Sequence, residues 1–284
     1  MYKTFQEEAR NSRWNIHGMQ VIRNDKVVYQ MGDCTTRFPI YSATKSITSL
    51  AVGIAVDEGK MSIDKSLYEY IKMIIPQTIE NSRIDILKKI SIKRLLTMSI
   101  PGLPFRPQGD NWLEYAINYL PENIEKSLFH YSNIPAYLVG VAVGCATGEH
   151  VISYLNNRLF HPLNIVAPCF QNCPSGYFYG ASGMKLSVEE LGRIGSLCLH
   201  RGIYDGKRIV SEKWLKDATD IQIDCKEGGY GYYLWKFRQG YRISGKWGQR
   251  CIVVPNQKMI ITYLSDMKEG SDEVEAAIEK YFIS

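Results

Sequence analysis

The stretch Phe38-Pro39-Ile40-Tyr41-Ser42-Ala43-Thr44-Lys45-Ser46 decides how this chain is interpreted. A strand-like run up to Tyr41 gives way to apolar residues at helical spacing, three and four apart, from Ile47 to Ala55. Ser42 is therefore predicted at the N-terminus of a helix. Because Ser42 and Lys45 are three residues apart, both side chains lie on one helix face within hydrogen-bonding reach, which is the geometry of a nucleophile and its base.

This pair of residues makes chemical sense only if the lysine loses its proton. A serine hydroxyl is a weak nucleophile until a base takes its proton, and a lysine with an ordinary pKa of about 10.4 is rarely neutral at pH 7. A second cation and partial desolvation would lower the pKa of Lys45. The Ser-x-x-Lys spacing also arises by chance, and Ser62-Ile63-Asp64-Lys65, in a loop behind Gly59, is such a chance match.

A second motif, Tyr131-Ser132-Asn133, precedes Pro135, which can occupy the first turn of a helix. Near two lysines the phenolate of Tyr131 would be favoured, so Tyr131 could move protons, and Asn133 could bind a substrate carbonyl. The alternative is that Tyr131 is an ordinary packed loop tyrosine. Tyr154-Leu155-Asn156 shows that the pattern also occurs by accident.

A third motif, Lys246-Trp247-Gly248-Gln249, is predicted on a late strand. There Lys246 can present a cation, and Gly248 lets a substrate approach the backbone closely. Lys226-Glu227-Gly228 and Lys268-Glu269-Gly270 are similar triplets in predicted loops.

Strand patterns occur at both ends of the chain. Alternation around Asn24-Asp25 predicts a hairpin over Gly18 to Met31. Three strand-like runs follow late in the sequence, over Gly231–Arg238, Tyr241–Val254 and Met259–Leu264. These runs predict one sheet built from the two ends of the chain.

Helical patterns fill the middle of the chain and its end. Ser187 and Glu190 form a predicted capping box for a helix that runs to His200, and a last helix is expected over Asp272–Phe282. The sequence thus predicts an α+β protein in which helices flank an antiparallel sheet. The expected domains are a sheet domain of residues 1–64 and 176–284 and an inserted, mostly helical subdomain of residues 65–175.

Composition and charge exclude several classes of protein. With 284 residues, 45% of them apolar, the chain can bury one large core. The net charge of +5 is spread thinly, so the basic cluster at 88–94 is interpreted as a solvated helix face, and no nucleic-acid partner is expected. The longest apolar run, at 137–146, is about half the length needed to cross a bilayer. No membrane span is therefore predicted.

Cysteines and histidines show no pattern of a metal site or a disulfide framework. The seven cysteines are an odd number without paired short spacings, which fits a reducing compartment, and the five histidines lack metal-ligand spacing. We expect neither a metal nor a cofactor. Because residues 1–15 lack the apolar stretch of a secretory signal, a cytoplasmic location is expected.

The order of the three motifs resembles that of the serine β-lactamase and penicillin-binding-protein superfamily, whose signature is Ser-x-x-Lys, Ser/Tyr-x-Asn and Lys/His-x-Gly. The tyrosine version resembles the class C β-lactamase-related branch. The resemblance covers roughly residues 16 to 265 and includes further landmarks: Ile90–Met98, Gly102-Leu103-Pro104, Ala181-Ser182-Gly183-Met184, Gly202–Ile209, Trp214, Gly229–Tyr232 and Val253-Val254-Pro255.

The resemblance implies a β-lactamase/transpeptidase-like fold and a role for each motif residue. It implies that Ser42 is the nucleophile, Lys45 the base and Tyr131 a proton relay. It implies a set of substrate-binding residues, namely Asn133, Lys246, Trp247 and Gly248. The backbone amides of Ser42 and Gln249 would form the oxyanion hole. The sequence departs from the pattern at Trp247, where antibiotic-directed members usually carry a small hydroxyl residue that contacts the substrate carboxylate.

The resulting hypothesis is an acyl-transfer hydrolase that cleaves a small-molecule ester, amide or lactam through an acyl-enzyme on Ser42. The departure at Trp247 and the expected cytoplasmic location favour an esterase or amidase. The alternatives are a D-Ala-directed carboxypeptidase, a β-lactamase, or a non-catalytic sensor that is acylated without turnover. The sequence does not predict the oligomeric state.

Overall fold

The computed structural model describes residues 2–283 and confirms the α+β class. Its helices are α1 (Tyr2–Asn11), α2 (Thr44–Asp57), α3 (Leu67–Ile71), α4 (Asn81–Lys89), α5 (Ile92–Leu96), α6 (Trp112–Asn118), α7 (Asn133–Thr147), α8 (Val151–Leu155), α9 (Val188–Leu199), α10 (Glu212–Thr219) and α11 (Ser271–Ile278). Its strands are β1 (Ile16–Arg23), β2 (Lys26–Gly32), β3 (Phe38–Pro39), β4 (Lys185–Leu186), β5 (Ile203–Tyr204), β6 (Lys207–Arg208), β7 (Trp235–Phe237), β8 (Gly240–Gly245), β9 (Gln249–Val254) and β10 (Met259–Ser265).

A six-stranded antiparallel sheet in the order β2-β1-β10-β9-β8-β7 joins the two ends of the chain. The predicted hairpin is confirmed: Asn24 and Asp25, which link β1 and β2, have φ angles of 50° and 62°. Such positive values suit the right-handed twist of two-residue hairpins. The pairing of β1 with β10 joins strands from the beginning and the end of the sequence in one sheet.

Helices cover both faces of this sheet, as predicted. On one face lies α9, which starts with the predicted capping box between Ser187 and Glu190. On the other face, Phe5 of α1 and Val274 of α11 are buried with the apolar side chains of β1, β9 and β10. The sheet is thus the middle layer between two layers of helices.

The stretch between residues 65 and 175 contains six helices, α3 to α8, and no named strand among the described residues. The central helix is α7, whose residues from Asn133 to Val143 are all buried, because it is apolar on every side. One core cluster extends from these helices to the sheet. The division into two domains at 65 and 175 therefore stays a prediction.

Helix α2 begins one residue after Ala43 and is buried from Thr44 to Ala55. It packs closely against α10 at Gly53, where an added Cβ atom would lie 2.4 Å from the ring of Trp214. Glycine is therefore needed at this crossing for packing. The contact fixes how near the two helices can approach.

The late strands differ from the sequence prediction. The run predicted from 231 to 238 is a strand only over β7, and the run from Tyr241 to Val254 is split into β8 and β9 by a turn at Lys246–Gly248. The prediction that Lys246 lies on a strand is therefore wrong. Trp247 and Gly248 have φ angles of 62° and 81°, which extended strand backbone does not adopt.

No single helix among the described residues is both long enough and apolar enough to cross a membrane. The segments Asn133–Thr147 and Val151–Phe160 reach that length only as a pair bent by 72°.

Candidate active site

Ser42 lies in a 3₁₀ turn, Tyr41–Ala43, that leads directly into α2. The turn packs on β8 and β9, and an added Cβ at Gly245 would lie 2.2 Å from the carbonyl oxygen of Ile40. The nucleophile proposed from the sequence thus lies where the N-terminus of α2 meets β8 and β9.

Lys45 has its ammonium group in the interior, with 1% of the residue exposed. Its Nζ donates to Ser42 Oγ at 3.1 Å, to Asn133 Oδ1 at 2.6 Å and to the carbonyl oxygen of Ala181 at 2.9 Å. Burial lowers the pKa of Lys45 to about 7, because desolvation disfavours the charged form. A substantial fraction of Lys45 is therefore neutral at pH 7, and the cause is burial rather than a second cation.

Tyr131 stands beside the same pair. Its hydroxyl is hydrogen-bonded to the side chain of Ser42, and Lys45 Nζ lies 4.9 Å from the centre of its ring. The ring also stacks on Trp235, with centroids 5.5 Å apart. Burial raises the pKa of Tyr131 to about 12, more than the hydrogen bond to Ser42 lowers it. The expectation of a favoured phenolate is therefore wrong, and Tyr131 is a protonated phenol at neutral pH.

Asn133 occupies the first position of α7, and Ser132 caps that helix by accepting from the amide of Ile134. Asn133 Oδ1 accepts from Lys45, and its Nδ2 donates to Tyr179 Oη at 2.9 Å. An amide carries two N–H donors, so one donor of Asn133 is left for a substrate carbonyl. Asn133 both holds Lys45 and lines the larger cavity at the site.

Two positions that bond to the predicted site residues were missed by sequence reasoning. The carbonyl of Ala181 accepts from Lys45, and the hydroxyl of Tyr179 accepts from Asn133. Ala181 belongs to a segment that was noted only as a family landmark. No sequence signal identifies Tyr179, because its role depends on a contact with a residue 46 positions away.

The third motif lies at the edge of this cluster rather than within it. Lys246 is exposed, and its Nζ lies 4.4 Å from the centre of the Trp247 ring, which in turn packs edge-on against Tyr41. Gly248 is crowded by the protein itself, since an added Cβ would lie 2.3 Å from Ser265 Oγ. The turn itself therefore needs glycine at this position, and the approach of a substrate to Gly248 stays a prediction.

Gln249 is the first residue of β9 and is paired with Gly245 of β8. Its side-chain amide donates to the carbonyl oxygen of Ser265 at 2.6 Å and to that of Lys246 at 3.0 Å. These bonds fix the turn beside the segment that carries Ser42. The oxyanion hole of Ser42 and Gln249 amides stays a prediction.

Two cavities meet at Ser42. The larger one, of about 790 Å³, has the aromatic side chains of Trp112 and Tyr179 in its wall, and the smaller one, of about 330 Å³, contains Tyr131 and Trp235. Ser42, Phe105 and Lys246 belong to both. The aromatic side chains of Phe105, Trp112 and Trp235 line the cavities. Trp247 does not line either of the two cavities.

The described residues contain no group of three His, Cys, Asp or Glu side chains that could hold a metal ion. The chance matches of the motifs lie elsewhere: Lys65 is exposed, and the hydroxyl of Tyr154 bonds to Glu58 at 3.2 Å. The arrangement at Ser42 supplies a nucleophile, a base that is partly neutral at pH 7 and a protonated phenol. These are the groups required for acyl transfer.

Comparison with solved structures shows the same fold in proteins of low sequence identity. The Pseudomonas syringae β-lactamase/D-alanine carboxypeptidase is 17% identical with a TM-score of 0.75, and 97% of each chain is covered. A penicillin-binding protein from Bacillus halodurans is 17% identical with a TM-score of 0.71, over 99% of this chain and 100% of that one. An octameric penicillin-binding protein homologue from Pyrococcus abyssi is 19% identical with a TM-score of 0.68, over 99% of this chain and 76% of that one.

The sequence itself gives the family. A model of the family described as Beta-lactamase matches residues 7–281, which is nearly the whole chain. This match and the shared fold confirm the resemblance drawn from the three motifs. The chain belongs to the Beta-lactamase family.

Proposed function

We propose that this protein is a serine hydrolase that forms an acyl-enzyme on Ser42 and cleaves an ester or amide bond. The observation that carries the proposal is the buried Lys45, whose Nζ is 3.1 Å from Ser42 Oγ and whose pKa burial lowers to about 7. A lysine in that state can take a proton from serine at neutral pH. A lysine with only a structural role would need neither a serine hydroxyl beside its Nζ nor a lowered pKa.

Acylation begins when neutral Lys45 accepts the proton of Ser42 and Ser42 Oγ attacks the substrate carbonyl carbon. The negative charge that develops on the carbonyl oxygen is stabilised by the backbone amides of Ser42 and Gln249 in the predicted oxyanion hole. Tyr131 then donates its proton to the leaving group as the bond to the carbonyl carbon breaks. The ammonium of Lys45 returns a proton to Tyr131, so the charges balance and the acyl group remains on Ser42.

Deacylation uses the same groups in the opposite direction. A water molecule enters where the leaving group stood, gives its proton through Tyr131 to Lys45 and attacks the acyl carbon. Ser42 leaves as the alkoxide and takes the proton from Lys45. The free acid departs, and the starting protonation states are restored.

The third motif supports an ester or amide bond as the one that is cleaved. Trp247 occupies the position where a small hydroxyl residue would contact a lactam carboxylate, and its ring is packed on Tyr41. Ester or amide substrates are therefore favoured over lactams. β-Lactamase or D-Ala carboxypeptidase activity, which the name of the Pseudomonas syringae protein gives for that protein, is the second candidate, and a sensor without turnover is the third.

The seven cysteines support a reducing compartment, and we propose a cytoplasmic location on that basis. All seven are unbridged, and four of them, Cys34, Cys173, Cys198 and Cys251, are buried. Disulfides are rare in the cytosol, where thiols are kept reduced.

The test is intact-protein mass spectrometry after incubation with p-nitrophenyl acetate and, separately, with a fluorescent penicillin. The proposal predicts an acetyl adduct that forms and decays in the wild type and is lost in Ser42→Ala. Ser62→Ala, from the chance Ser-x-x-Lys match, is the control and keeps the adduct. A stable adduct would favour the sensor, a penicilloyl adduct that decays would favour the lactamase, and no adduct with either reagent would overturn the acyl-enzyme.

A further inference from the structure

Tyr131 stands in a part of the chain without regular secondary structure. Among the described residues, no helix or strand occurs between the end of α6 at Asn118 and the start of α7 at Asn133. Residues 125–128 of this segment are exposed. Contacts other than helix or sheet hydrogen bonds must therefore fix the phenol, since a shift of about 1 Å in a reacting group can cost about a hundredfold in rate.

A second irregular segment, residues 98–105, supports the one that carries Tyr131. It is anchored in the core, where Met98 and Leu103 are buried. Hydrogen bonds join the two segments on either side of Tyr131: from His130 N to Met98 O at 2.8 Å, from His130 Nε2 to Leu103 O at 2.7 Å, from Ser132 Oγ to Pro104 O at 2.6 Å and from Asn133 N to Phe105 O at 2.7 Å. The position of the phenol thus depends on the buried segment.

The bonds on the two sides of Tyr131 differ in what else they do. On the C-terminal side, Ser132 Oγ also accepts from the amide of Ile134 and so caps α7. On the N-terminal side, His130 contributes both its backbone and its side chain. Because a carbonyl oxygen only accepts, His130 Nε2 is the donor to Leu103, and it can donate whether the ring is neutral or charged. His130 therefore fixes the residue next to Tyr131 at two points.

His130 acts at a distance from the substrate. It lines neither of the two cavities at Ser42, whereas Tyr131 lines the smaller one. The ring of Tyr131 stacks on Trp235 and its hydroxyl bonds to Ser42. Both contacts depend on where the backbone of residue 131 lies, so a shift of the neighbouring residue 130 would disturb them together.

We propose that His130 is a positioning residue for Tyr131, and that its hydrogen bond to the carbonyl of Leu103 holds the phenol where it protonates the leaving group. The inference rests on the proposed acyl-enzyme function, in which Tyr131 gives its proton to that group. Loss of the bond should impair the departure of leaving groups that need a proton and spare the activation of Ser42 by Lys45. A histidine with only a packing role would affect all substrates alike.

The test compares two acetate esters of similar shape, p-nitrophenyl acetate and p-nitrobenzyl acetate. p-Nitrophenolate leaves readily without a proton, whereas the benzyl alkoxide must be protonated as it departs. The ratio of the first kcat/KM to the second therefore measures protonation of the leaving group. His130→Ala should raise this ratio about tenfold or more, because general acid catalysis contributes about a hundredfold or more and a displaced donor loses part of it.

Further variants separate the hydrogen bond from the ring of His130. His130→Gln retains a side-chain N–H donor and should keep the ratio within about threefold of wild type. Tyr131→Phe should raise the ratio at least as far as His130→Ala does. Adding His130→Ala to Tyr131→Phe should raise it no further, because both changes act through one hydroxyl.

The control is His200→Ala, which removes a histidine bond of the same length, 2.7 Å to Asp25 Oδ1, outside both cavities. It should leave the ratio unchanged. Equal losses for the two esters in His130→Ala, or a further rise of the ratio when His130→Ala is added to Tyr131→Phe, would overturn the inference. If His130→Ala does not fold, His130→Leu takes its place, because leucine fills the space without a donor.

A measurement without substrate separates this inference from the proposed function. The near-UV circular dichroism of Trp235, obtained for each protein as the difference on adding Trp235→Phe, reports how Tyr131 stacks on that ring. His130→Ala should weaken this signal about twofold or more, and His130→Gln should retain it. An unchanged signal in His130→Ala would overturn the inference even if both esters are hydrolysed. If neither ester is turned over, the proposed function fails, and the dichroism still decides whether His130 positions Tyr131.

Discussion

The buried cluster around Lys45 and the turn at Lys246–Gly248 are both family motifs, yet they differ in burial and in bonding. Lys45 is 1% exposed and has three hydrogen-bond acceptors from separate segments of the chain. Lys246 is exposed and lies against the neighbouring Trp247 ring. Groups that move protons need burial, because burial shifts their pKa values, whereas a surface turn can vary with the substrate.

The difference also shows in how each motif is held. Asn133 and the carbonyl of Ala181, both remote in sequence, fix the ammonium group of Lys45. The turn is fixed through its backbone, since Gln249 donates to the carbonyl of Lys246 and Ser265 Oγ donates to that of Trp247. The cluster thus constrains side chains, while the turn leaves the side chains of Lys246 and Trp247 open to change.

The largest expected effect breaks the buried cluster at its base. Lys45→Ala should lower kcat/KM for p-nitrophenyl acetate by about a thousandfold or more, because no other group in the cluster can take the proton of Ser42. Release of p-nitrophenol measures the rate. Lys65→Ala, in the exposed chance motif, is the control and should keep full activity. A Lys45→Ala rate above one tenth of wild type would remove the lysine from the mechanism.

The next effect tests the second proton-transfer group. Tyr131→Phe keeps the ring that stacks on Trp235 but loses the hydroxyl, so turnover should fall about a hundredfold with an unchanged melting temperature. The same assay and a thermal unfolding curve measure both. Tyr154→Phe, which loses only the bond to Glu58, serves as the matched variant and should remain active. Near-normal turnover in Tyr131→Phe would leave that residue a packing role alone.

The smallest effect concerns stability and sharpens what burial means for Lys45. Burial lowers the pKa of Lys45 from 10.5 to about 7, so between pH 7 and pH 9 the unfolded chain binds the proton that the folded protein has released. Stability therefore rises with pH in this window, by about 2 kcal/mol from this residue. Urea unfolding at pH 7 and pH 9 measures the rise.

The variants needed for that comparison are Lys45→Met and Ser42→Ala. Lys45→Met should lose the rise, since it has no proton to release, and Ser42→Ala should keep it although it is equally inactive. An identical rise in wild type and Lys45→Met would show that Lys45 titrates outside this window in the folded protein.

Much of the fold could be predicted because its signals are local. Asn24-Asp25 favours a hairpin turn, and Ser187 with Glu190 favours a helix start, whatever the rest of the chain does. The run from Tyr241 to Val254 was misjudged because its residues suit a strand throughout. Only the positive φ angles of Trp247 and Gly248 reveal the turn, in which an added Cβ at Gly248 would collide with Ser265.

The candidate site shows the same limit. Ser42 and Lys45 could be paired from their spacing alone, because one helical turn brings them together. The bond from Asn133 to Tyr179 and the bridge from Arg242 to Glu275 join distant elements, and no local pattern encodes them. The pKa of Tyr131 was predicted in the wrong direction, because burial, which raises it, depends on the whole surrounding structure.

The contact between Gly53 and Trp214 couples the position of α2 to that of α10. Lys45 precedes Gly53 on α2, and Ser42 lies in the 3₁₀ turn directly before this helix, so a displacement of α2 at Gly53 also displaces them. An alanine at position 53 would place its methyl group 2.4 Å from the indole of Trp214 and force α2 away from α10. We therefore expect the position of Ser42 to depend partly on Trp214, and we expect variation at positions 53 and 214 to be coupled.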